Sequence, residues 1–594
     1  MRLDPPFVFL DDARPGGAPA RLYRRPARIV RAGTAAEVMP ALADLRDAQR
    51  DGLHAAGFLR YEAGAAFEPA AEPLGHSDGP LLWFGLFDRW DEVADVAALL
   101  PHPAGAWIGA PEPDIDRAAY DARFAAVQDL IRAGDLYQAN LTFRARARFD
   151  GDVRALYAQL RRRAAGGWGA LVETGEETIL SFSPELFASL DGDRLLCRPM
   201  KGTARRGDDS ASDTRAAAEL ATDAKQRAEN LMIVDLMRND LARVAAPGSV
   251  AVPDLFRVET YPTVHQLVSD VTARLAPGKD AVDMLAALFP CGSITGAPKV
   301  RAMQALAAIE GQAARGIYTG SIGRIDANGD AAFNVAIRTL HIAADASHAT
   351  MGLGGGVVAD SSADAEWDEA CAKGAFVATL PGFDLIETMA FDPEDGLFLL
   401  EGHLTRMKNS AEALGFAFDR HAARNELQAA TFRLRGTARI RLLLAASGAI
   451  AVEMGPMPDI SQAIGVTVVP LPVTPADMRL RHKTSDRGFY DAARHAAGTA
   501  EVLFERSDGR LTEGSYTNLF VERDGVLLTP PLADGLLPGV LRADLIQTGR
   551  AREATLTRDD LAGPFFVGNA LRGLIHAFLV PSSVAVEKQP AASL

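Results

Sequence analysis

No lysine occurs in the first 200 residues; the first, Lys201, stands in Arg198-Pro199-Met200-Lys201-Gly202-Thr203. The others are Lys225, Lys279, Lys299, Lys373, Lys408, Lys483 and Lys588, so arginine fills nearly every routine cationic role. Arginine stays protonated, whereas a desolvated lysine can lose its proton and act as a nucleophile or form a Schiff base. Lys201 and Lys483, far apart in sequence, are therefore candidates for two separate chemistries.

Two acidic sets accompany the first lysine. Glu229 lies in a helical run, Ala228 to Leu236, with Met232, Ile233 and Leu236 at i+3, i+4 and i+7, which turns its carboxylate toward an apolar side. A carboxylate there needs a cation, either an arginine or a metal. Further on, Gly352, Gly354, Gly355 and Gly356 precede Val357-Val358-Ala359-Asp360-Ser361-Ser362. No GK[ST] follows, so this is not a P-loop; the glycines suggest backbone N–H groups brought close to an anion such as a carboxylate. Ser361 with Asp364 suits a helix start, and on that helix Glu366, Glu369 and Lys373 share one stripe. Oxygen donors without His or Cys would suit Mg²⁺ rather than zinc. A structural Glu–Arg pair and a solvated charged face answer to the same patterns.

Around Lys483 the polar residues are spread more widely. Glu401 to Ser410 reads as a helix with Leu404, Met407, Ala411 and Leu414 inward and His403, Arg406 and Ser410 on a neighbouring stripe, a position that usually faces solvent. Glu513 stands in Thr512-Glu513-Gly514-Ser515-Tyr516-Thr517-Asn518. Leu537-Pro538-Gly539-Val540-Leu541-Arg542 opens a helix whose free N–H groups form a natural phosphate seat.

The elements that must position these residues fall into two blocks. At 594 residues the chain exceeds one core and suggests roughly three to five domain-sized units. Pro-Gly in Leu380-Pro381-Gly382 marks the clearest seam, giving blocks 1–379 and 383–594, and Pro101 to Pro113 divides the first into 1–112 and 113–379. Tyr120, Phe124, Val127 and Ile131 predict a helix that stops at Gly134. A half-buried strand follows, with Tyr137, Ala139, Leu141, Phe143 and Ala145 on one face and Gln138, Asn140, Thr142, Arg144 and Arg146 on the other. A net charge of −15 argues against a nucleic-acid partner, and no apolar run is long enough to span a membrane. Cys197, Cys291 and Cys371 form no CxxC pair, which with the acidic, proline-bearing start fits a cytoplasmic protein.

The stretches Gly134 to Leu141, Ser183-Pro184-Glu185, Lys201-Gly202-Thr203, Glu229-Asn230 through Arg238-Asn239-Asp240, Gly292 to Lys299, Ile337-Arg338 and Gly354 to Lys373 occur in the order found in the chorismate-utilising enzymes, which this chain resembles over about 115–375. That resemblance implies a β-sandwich with surrounding helices. Isochorismate and salicylate synthases carry a water-activating lysine where Gln138 stands, and anthranilate synthases typically carry alanine where this chain has Lys201. The likeness thus points to the aminodeoxychorismate synthase component I branch. It implies Lys201 as nucleophile at ring C2, Glu185 as proton donor, and His265 near the ring. It further implies Glu229, Glu366 and Glu369 as Mg²⁺ ligands, and Gln138, Thr295, Tyr318, Arg338, Gly355, Gly356 and Lys373 around the substrate. Gln226 stands where many relatives have an acid. No Gly-x-Cys-x-Gly nucleophile is present, so ammonia would come from a separate glutamine amidotransferase subunit or from solution.

From 383 to 580 the chain resembles the fold-type IV pyridoxal-phosphate enzymes, implying a two-subdomain α/β block. Lys483 would carry pyridoxal 5'-phosphate, Glu513 would face its ring nitrogen, and Arg406 with the Val540 and Leu541 amides would hold its phosphate. Gly568-Asn569-Ala570-Leu571-Arg572-Gly573 stands where aminotransferases usually show Gly-Thr, and the string from Asn569 looks like aminodeoxychorismate lyase. The two resemblances together imply bifunctional 4-aminobenzoate synthesis for folate, with pairing through the second block as a homodimer. Anthranilate synthase joined to an aminotransferase is the rival reading.

Overall fold

The computed structural model describes residues 3–580 apart from 72–73, 76, 78, 262–263, 312–313, 345–346, 379–381 and 460–461. Leu380 and Pro381 of the expected seam, and Lys588, lie outside the described residues. The chain forms two compact units: one of 1–100, 110–148 and 157–378, the other of 101–109, 149–156 and 379–594.

The first unit is built on two large antiparallel sheets. One runs Gly296–Ala297, Gln138–Gly151, His348–Val357, Thr339–Ala343, Glu177–Ser183, Trp168–Glu173, Phe7–Asp11, Ala20–Arg24, Asp91–Val93. The other runs Met200–Arg205, Val264–Arg274, Arg194–Cys197, Leu186–Asp191, Ala331–Asn334, Ser321–Ile325, His54–Leu59, Leu82–Phe87, Arg28–Ala32. Early strands thus pair with late ones, Phe7–Asp11 beside Trp168–Glu173 and His54–Leu59 beside Ser321–Ile325. The separate subdomain expected over 1–112 is therefore corrected: its strands complete both sheets, and the Pro/Gly-rich stretch after Pro101 carries strands of its own. Helix Ala35–Arg50 lays Val38, Leu42 and Leu45 into the cluster that holds Phe84 and Phe333. Burying each such leucine favours the fold by roughly 2 kcal/mol, so this cluster rather than helix propensity secures the element.

Helix Arg117–Arg132 starts where Asp116 accepts from the Ala119 amide at 2.8 Å and ends ahead of Gly134, whose φ is +81°. Along Gln138–Gly151, both faces are buried at the start: Gln138, Asn140 and Thr142 are enclosed, while Tyr137, just outside the strand, is 70% exposed. Strand His348–Val357 pairs with it, Gly354 opposite Thr142. A Cβ on Gly354 would lie 2.3 Å from the Leu141 carbonyl oxygen, so only glycine permits this approach. The helix that follows is Ala363–Gly374, capped by Ser362 rather than by the expected Ser361. Ser361 Oγ instead donates to Glu366 Oε1 at 2.7 Å, which diverts it from capping.

The second unit contains a four-stranded antiparallel sheet centred on Leu385–Asp392 and Ala438–Leu444, and an eight-stranded mixed sheet in which Ile464–Pro470 lies parallel to both Glu501–Glu505 and Gly573–Leu579. Helix Leu400–Leu414 buries Leu404, Met407, Ala411 and Leu414, with Leu385 and Leu442 in the same cluster. Helix Val540–Gln547 begins after Gly539 with no side-chain cap, leaving its first amides free. The first unit is thus a β-sandwich-type assembly and the second a mixed α/β one, as the sequence led us to expect.

Candidate active sites

In the first unit, the polar cluster forms around Lys201, on strand Met200–Arg205. Helix Ala224–Ala242, started by Asp223 accepting from the Gln226 amide, is fastened to this strand through Asn230, whose Oδ1 accepts from Ser269 Oγ at 2.6 Å and whose Nδ2 donates to the Lys201 and Leu267 carbonyls. The glycine strand comes against the cluster. A Cβ on Gly356 would lie 3.1 Å from Lys201 Nζ and 2.9 Å from Gln138 Nε2; one on Gly355 would lie 3.0 Å from Glu366 Oε2 and 3.5 Å from Lys373 Nζ. Glycine there leaves room that any side chain would fill, and Gln138 Nε2 is buried with no hydrogen-bond partner among the described residues.

Two titrations in this cluster run opposite to habit. Burial, chiefly, pushes the Glu185 carboxyl up to about 7, against the opposing effects of Ser293 Oγ, which donates to its Oε1 at 2.9 Å, and of Lys201. Desolvation and then the like charge of Lys373 lower Lys201, against the pull of Glu185, Glu229 and Glu369. An acid that keeps its proton near neutrality thus sits within electrostatic reach of an amine that tends to lose its own.

The acids expected to hold a metal are drawn together only in part. Burial raises Glu229, with Asp360 and Glu366 adding to it, and raises Glu366, with Glu369 adding to it. Glu369 is desolvated too, yet Lys373, 2.8 Å away, brings it below its usual range. Lys373 also donates to the Gly354 carbonyl at 2.9 Å. Among the described residues no three such side chains converge closely enough to hold an ion. The chemistry still fits a hard divalent cation, since the donors are oxygens and the carboxyls of Glu229 and Glu366 are raised by burial and then by neighbouring acids, a repulsion that a cation would relieve. Gln226 faces Gly202 beside Lys201 and adds no charge.

Other expected positions are placed differently. Arg338 has φ +51°, a costly conformation for a side-chain-bearing residue, and burial lowers its pKa. Its guanidinium has no hydrogen-bond or ion-pair partner among the described residues. Thr295 turns its hydroxyl onto the Cys291 and Gly292 carbonyls. Tyr318 packs against Gly352 and borders a cavity of about 80 Å³ with Arg60, Arg144, Arg315 and His341. Both ring nitrogens of His265 are engaged, with Asp213 at 2.9 Å and Thr260 at 3.1 Å. Lys299, the lysine of the Gly292–Lys299 stretch, is spent on Asp240 at 2.5 Å and on the Leu288 carbonyl. Ser293, passed over among the site residues, was within reach of sequence reasoning because it stands inside that same stretch.

In the second unit a pocket of about 250 Å³ contains Lys483, Glu513, Arg406, Val540 and Asn569 together. Desolvation, first, and the Arg406 charge bring Lys483 down to about 7, with Glu387 opposing. Its strand-like segment is held by the Ile386 amide donating to the Lys483 carbonyl, and by Asp150 of this unit, which takes Arg481 and lies 3.3 Å from His482 Nε2. Burial raises Glu513 to about 7 even though the Tyr490 hydroxyl (2.6 Å) and the Leu537 amide (3.1 Å) donate to it.

The polar stripe of helix Leu400–Leu414 does not face solvent. Glu387, fully enclosed on the neighbouring strand, accepts from Arg406 at 2.8 and 2.6 Å and sits 2.6 Å from His403 Nδ1. Arg406 and His403 together hold its carboxyl far below the usual range despite burial. Sequence reasoning missed Glu387, Tyr490 and Arg487; only its place opposite an arginine-bearing helix could have signalled Glu387. The set fits pyridoxal phosphate: a buried lysine, an acid lining the same pocket, a guanidinium and the uncapped amides of helix Val540–Gln547 for a phosphate, and, at the pocket wall, His403 Nε2 with no partner among the described residues. A Cβ on Gly539 would strike Asn518 Oδ1 at 1.8 Å, so this helix entrance needs glycine.

Comparison with known proteins follows the same division. The model of the chorismate binding enzyme family matches residues 22–379, and that of class IV amino-transferases matches 384–577. Aminodeoxychorismate synthase component 1 of Salmonella typhimurium is 39% identical over 53% of this chain and 74% of its own length. Anthranilate synthase component 1 1 of Halobacterium salinarum is 41% identical over 43% of this chain and 49% of its own. Anthranilate synthase component I from Streptococcus pneumoniae superposes with a TM-score of 0.52 at 24% identity, covering 64% of this chain and 93% of that one, which shows a shared fold. Among the described residues no helix is long and apolar enough to cross a membrane. The chain belongs to the chorismate binding enzymes, carrying a class IV amino-transferase domain behind that core.

Proposed function

We propose that the first unit aminates chorismate to 4-amino-4-deoxychorismate and that the second removes pyruvate from it to leave 4-aminobenzoate, a folate precursor. The reading is carried by one arrangement: a buried lysine, Lys201, whose pKa burial lowers, in electrostatic contact with a buried carboxyl, Glu185, that burial raises to about 7. Lys201 Nζ attacks ring C2, the ring double bonds shift, and Glu185 gives its proton to the C4 hydroxyl, which departs as water. Ammonia then attacks C4, the double bonds shift back, and Lys201 leaves with the C2–N electron pair while the surplus ammonium proton returns to Glu185.

Arg338, Lys373 and the Gly355 and Gly356 amides bind the substrate carboxylates, and the freed Gln138 amide meets the ring substituents. Glu229, Glu366 and Glu369 would hold Mg²⁺, which when bound anchors a carboxylate of the substrate. His265, with both nitrogens engaged, positions Asp213 and the strand beside Lys201. Ammonia comes from a separate glutamine amidotransferase, a division of labour supported by the relative's designation as a component 1.

In the second unit bound pyridoxal phosphate supplies an electron sink beside the ring. Arg406, clamped by Glu387, and the Val540 and Leu541 amides would seat its phosphate, and Glu513, held by Tyr490, would hold a proton at its ring nitrogen. Lys483 takes the proton from ring C4 and delivers it to the enolpyruvyl methylene, so that the C3–O bond breaks and pyruvate leaves as the ring aromatises. Asn569 accepts from the Leu571 and Arg572 amides at 3.0 Å each and shapes the turn against the pocket. Purified chain given chorismate, Mg²⁺, pyridoxal phosphate and ammonium should yield pyruvate and 4-aminobenzoate; 2-aminobenzoate without pyridoxal-dependent pyruvate release would replace this reading with an anthranilate synthase fused to an aminotransferase.

A further inference from the structure

The pocket of the second unit holds more positive charge than a cofactor phosphate calls for. Arg406 is already neutralised by Glu387, and Arg487 donates to the Ser515 carbonyl and stands over Tyr490 beside Glu513. Three further guanidinium groups border the same pocket: Arg439, Arg441 and Arg572. Arg439 and Arg441 are two apart on strand Ala438–Leu444, so they share a face, while Ile440 and Leu442 point into the core. Arg441 has Glu453 3.5 Å away. The guanidinium groups of Arg439 and Arg572 have no hydrogen-bond or ion-pair partner among the described residues.

Arg572 is not loose. Asn569 Oδ1 takes its amide, Asn569 Nδ2 donates to the Tyr516 carbonyl at 2.9 Å, and the guanidinium lies 4.7 Å above the Tyr516 ring. Burial, chiefly, lowers its pKa, with the charge of Arg439 acting in the same direction against Tyr516 and Glu501. Arg439 is exposed on its strand, yet its charge is felt at Arg572; an anion between the two relieves that repulsion, and a guanidinium fork matches a carboxylate.

We infer that Arg439 and Arg572 form a carboxylate-recognition pair at the mouth of this pocket and make the second unit selective for substrates with two carboxylates. The inference rests on the lyase reading only for the identity of that substrate: 4-amino-4-deoxychorismate carries one carboxylate on the ring and one on the enolpyruvyl ether. It also gives the arginine of Asn569-Ala570-Leu571-Arg572-Gly573 a task apart from the turn that Asn569 makes.

The test uses the full chain loaded with pyridoxal phosphate. 3-(Carboxymethoxy)benzoate reproduces the two-carboxylate spacing and benzoate supplies one charge. Each is titrated against the cofactor's visible band, which reports the second unit alone. Wild type should bind the dianion roughly tenfold or more tightly than the monoanion, the scale of one charged hydrogen-bonded pair. The Arg439→Gln/Arg572→Gln double variant should lose that preference because its affinity for the dianion falls further than its affinity for benzoate, and Arg572→Lys should recover part of it. In pyruvate-release assays the double variant should raise KM for 4-amino-4-deoxychorismate by a similar factor while kcat stays within about threefold. No preference for the dianion in wild type, or an undiminished preference in the double variant, would overturn the inference. Failure of wild type to release pyruvate would instead overturn the lyase reading and leave the dianion titration to decide the arginine pair.

Discussion

Replacing Glu185 by glutamine removes one titrating proton while keeping the shape of the side chain. The wild-type carboxyl is pushed from an ordinary value near 4.5 up to about 7. The native chain therefore keeps a proton that the unfolded chain loses in this interval, so the stability this group allows is greatest at low pH and declines as pH rises through about 7, where a charge must be buried. The interval is roughly 2.5 pH units, or about 3 kcal/mol at about 1.36 kcal/mol per unit. Glu185→Gln abolishes this slope. Relative to wild type, its unfolding free energy should climb by about 3 kcal/mol between pH 4.5 and 7.5. Urea unfolding followed by tryptophan fluorescence reads mainly the right unit, because Trp83, Trp90, Trp168 and Trp367 belong to it and Trp107 alone lies in the other; Trp107→Phe in both proteins removes that second signal. Chorismate consumption should meanwhile fall by about 10²- to 10⁴-fold, the usual worth of a positioned proton donor. A difference in stability that does not vary with pH, together with turnover within about tenfold of wild type, would refute the reasoning.

Three further outcomes follow from the same geometry. Lys483→Ala should abolish the cofactor's visible internal band and pyruvate release while 4-amino-4-deoxychorismate accumulates; retained pyruvate release would remove the lysine from its role. Tyr490→Phe takes a 2.6 Å donor from Glu513, so the acid should rise further above about 7 and hold the cofactor less tightly, read as faster loss of absorbance on dialysis; unchanged retention would contradict this. Glu387→Gln leaves Arg406 and His403 facing a neutral amide, and breaking such a buried set costs about 3–5 kcal/mol; because the Glu387 carboxyl is held far below its usual range, wild type should lose this contribution only as the pH falls well below 4, and equal denaturation midpoints for variant and wild type at pH 7 would count against it.

What could be read before the fold was known depended on locality. Glu366, Glu369 and Lys373 fell on one stripe because helical periodicity fixes such spacing, and the Lys373–Glu369 contact of 2.8 Å agrees with it. The glycines at 354–356 announced a close approach for the same local reason. The Glu387–Arg406–His403 cluster did not show itself, since a polar stripe beside a core looks solvated until the strand carrying Glu387 is laid against it. The woven sheets escaped for a related cause: Phe7–Asp11 pairs with Trp168–Glu173 across more than 150 residues, and no composition break records such a pairing. Ser361 and Ser362 are chemically alike, so which of them caps was decided by Glu366, a side chain one turn away.

Lys201 acts as a nucleophile only if a covalent adduct with chorismate forms on it. Chain incubated with chorismate and Mg²⁺ without ammonia, quenched and digested, should show the peptide carrying Lys201 heavier by chorismate less one water, an adduct that vanishes on adding ammonium and is absent from Lys201→Ala. Normal formation of 4-amino-4-deoxychorismate by Lys201→Ala would contradict it.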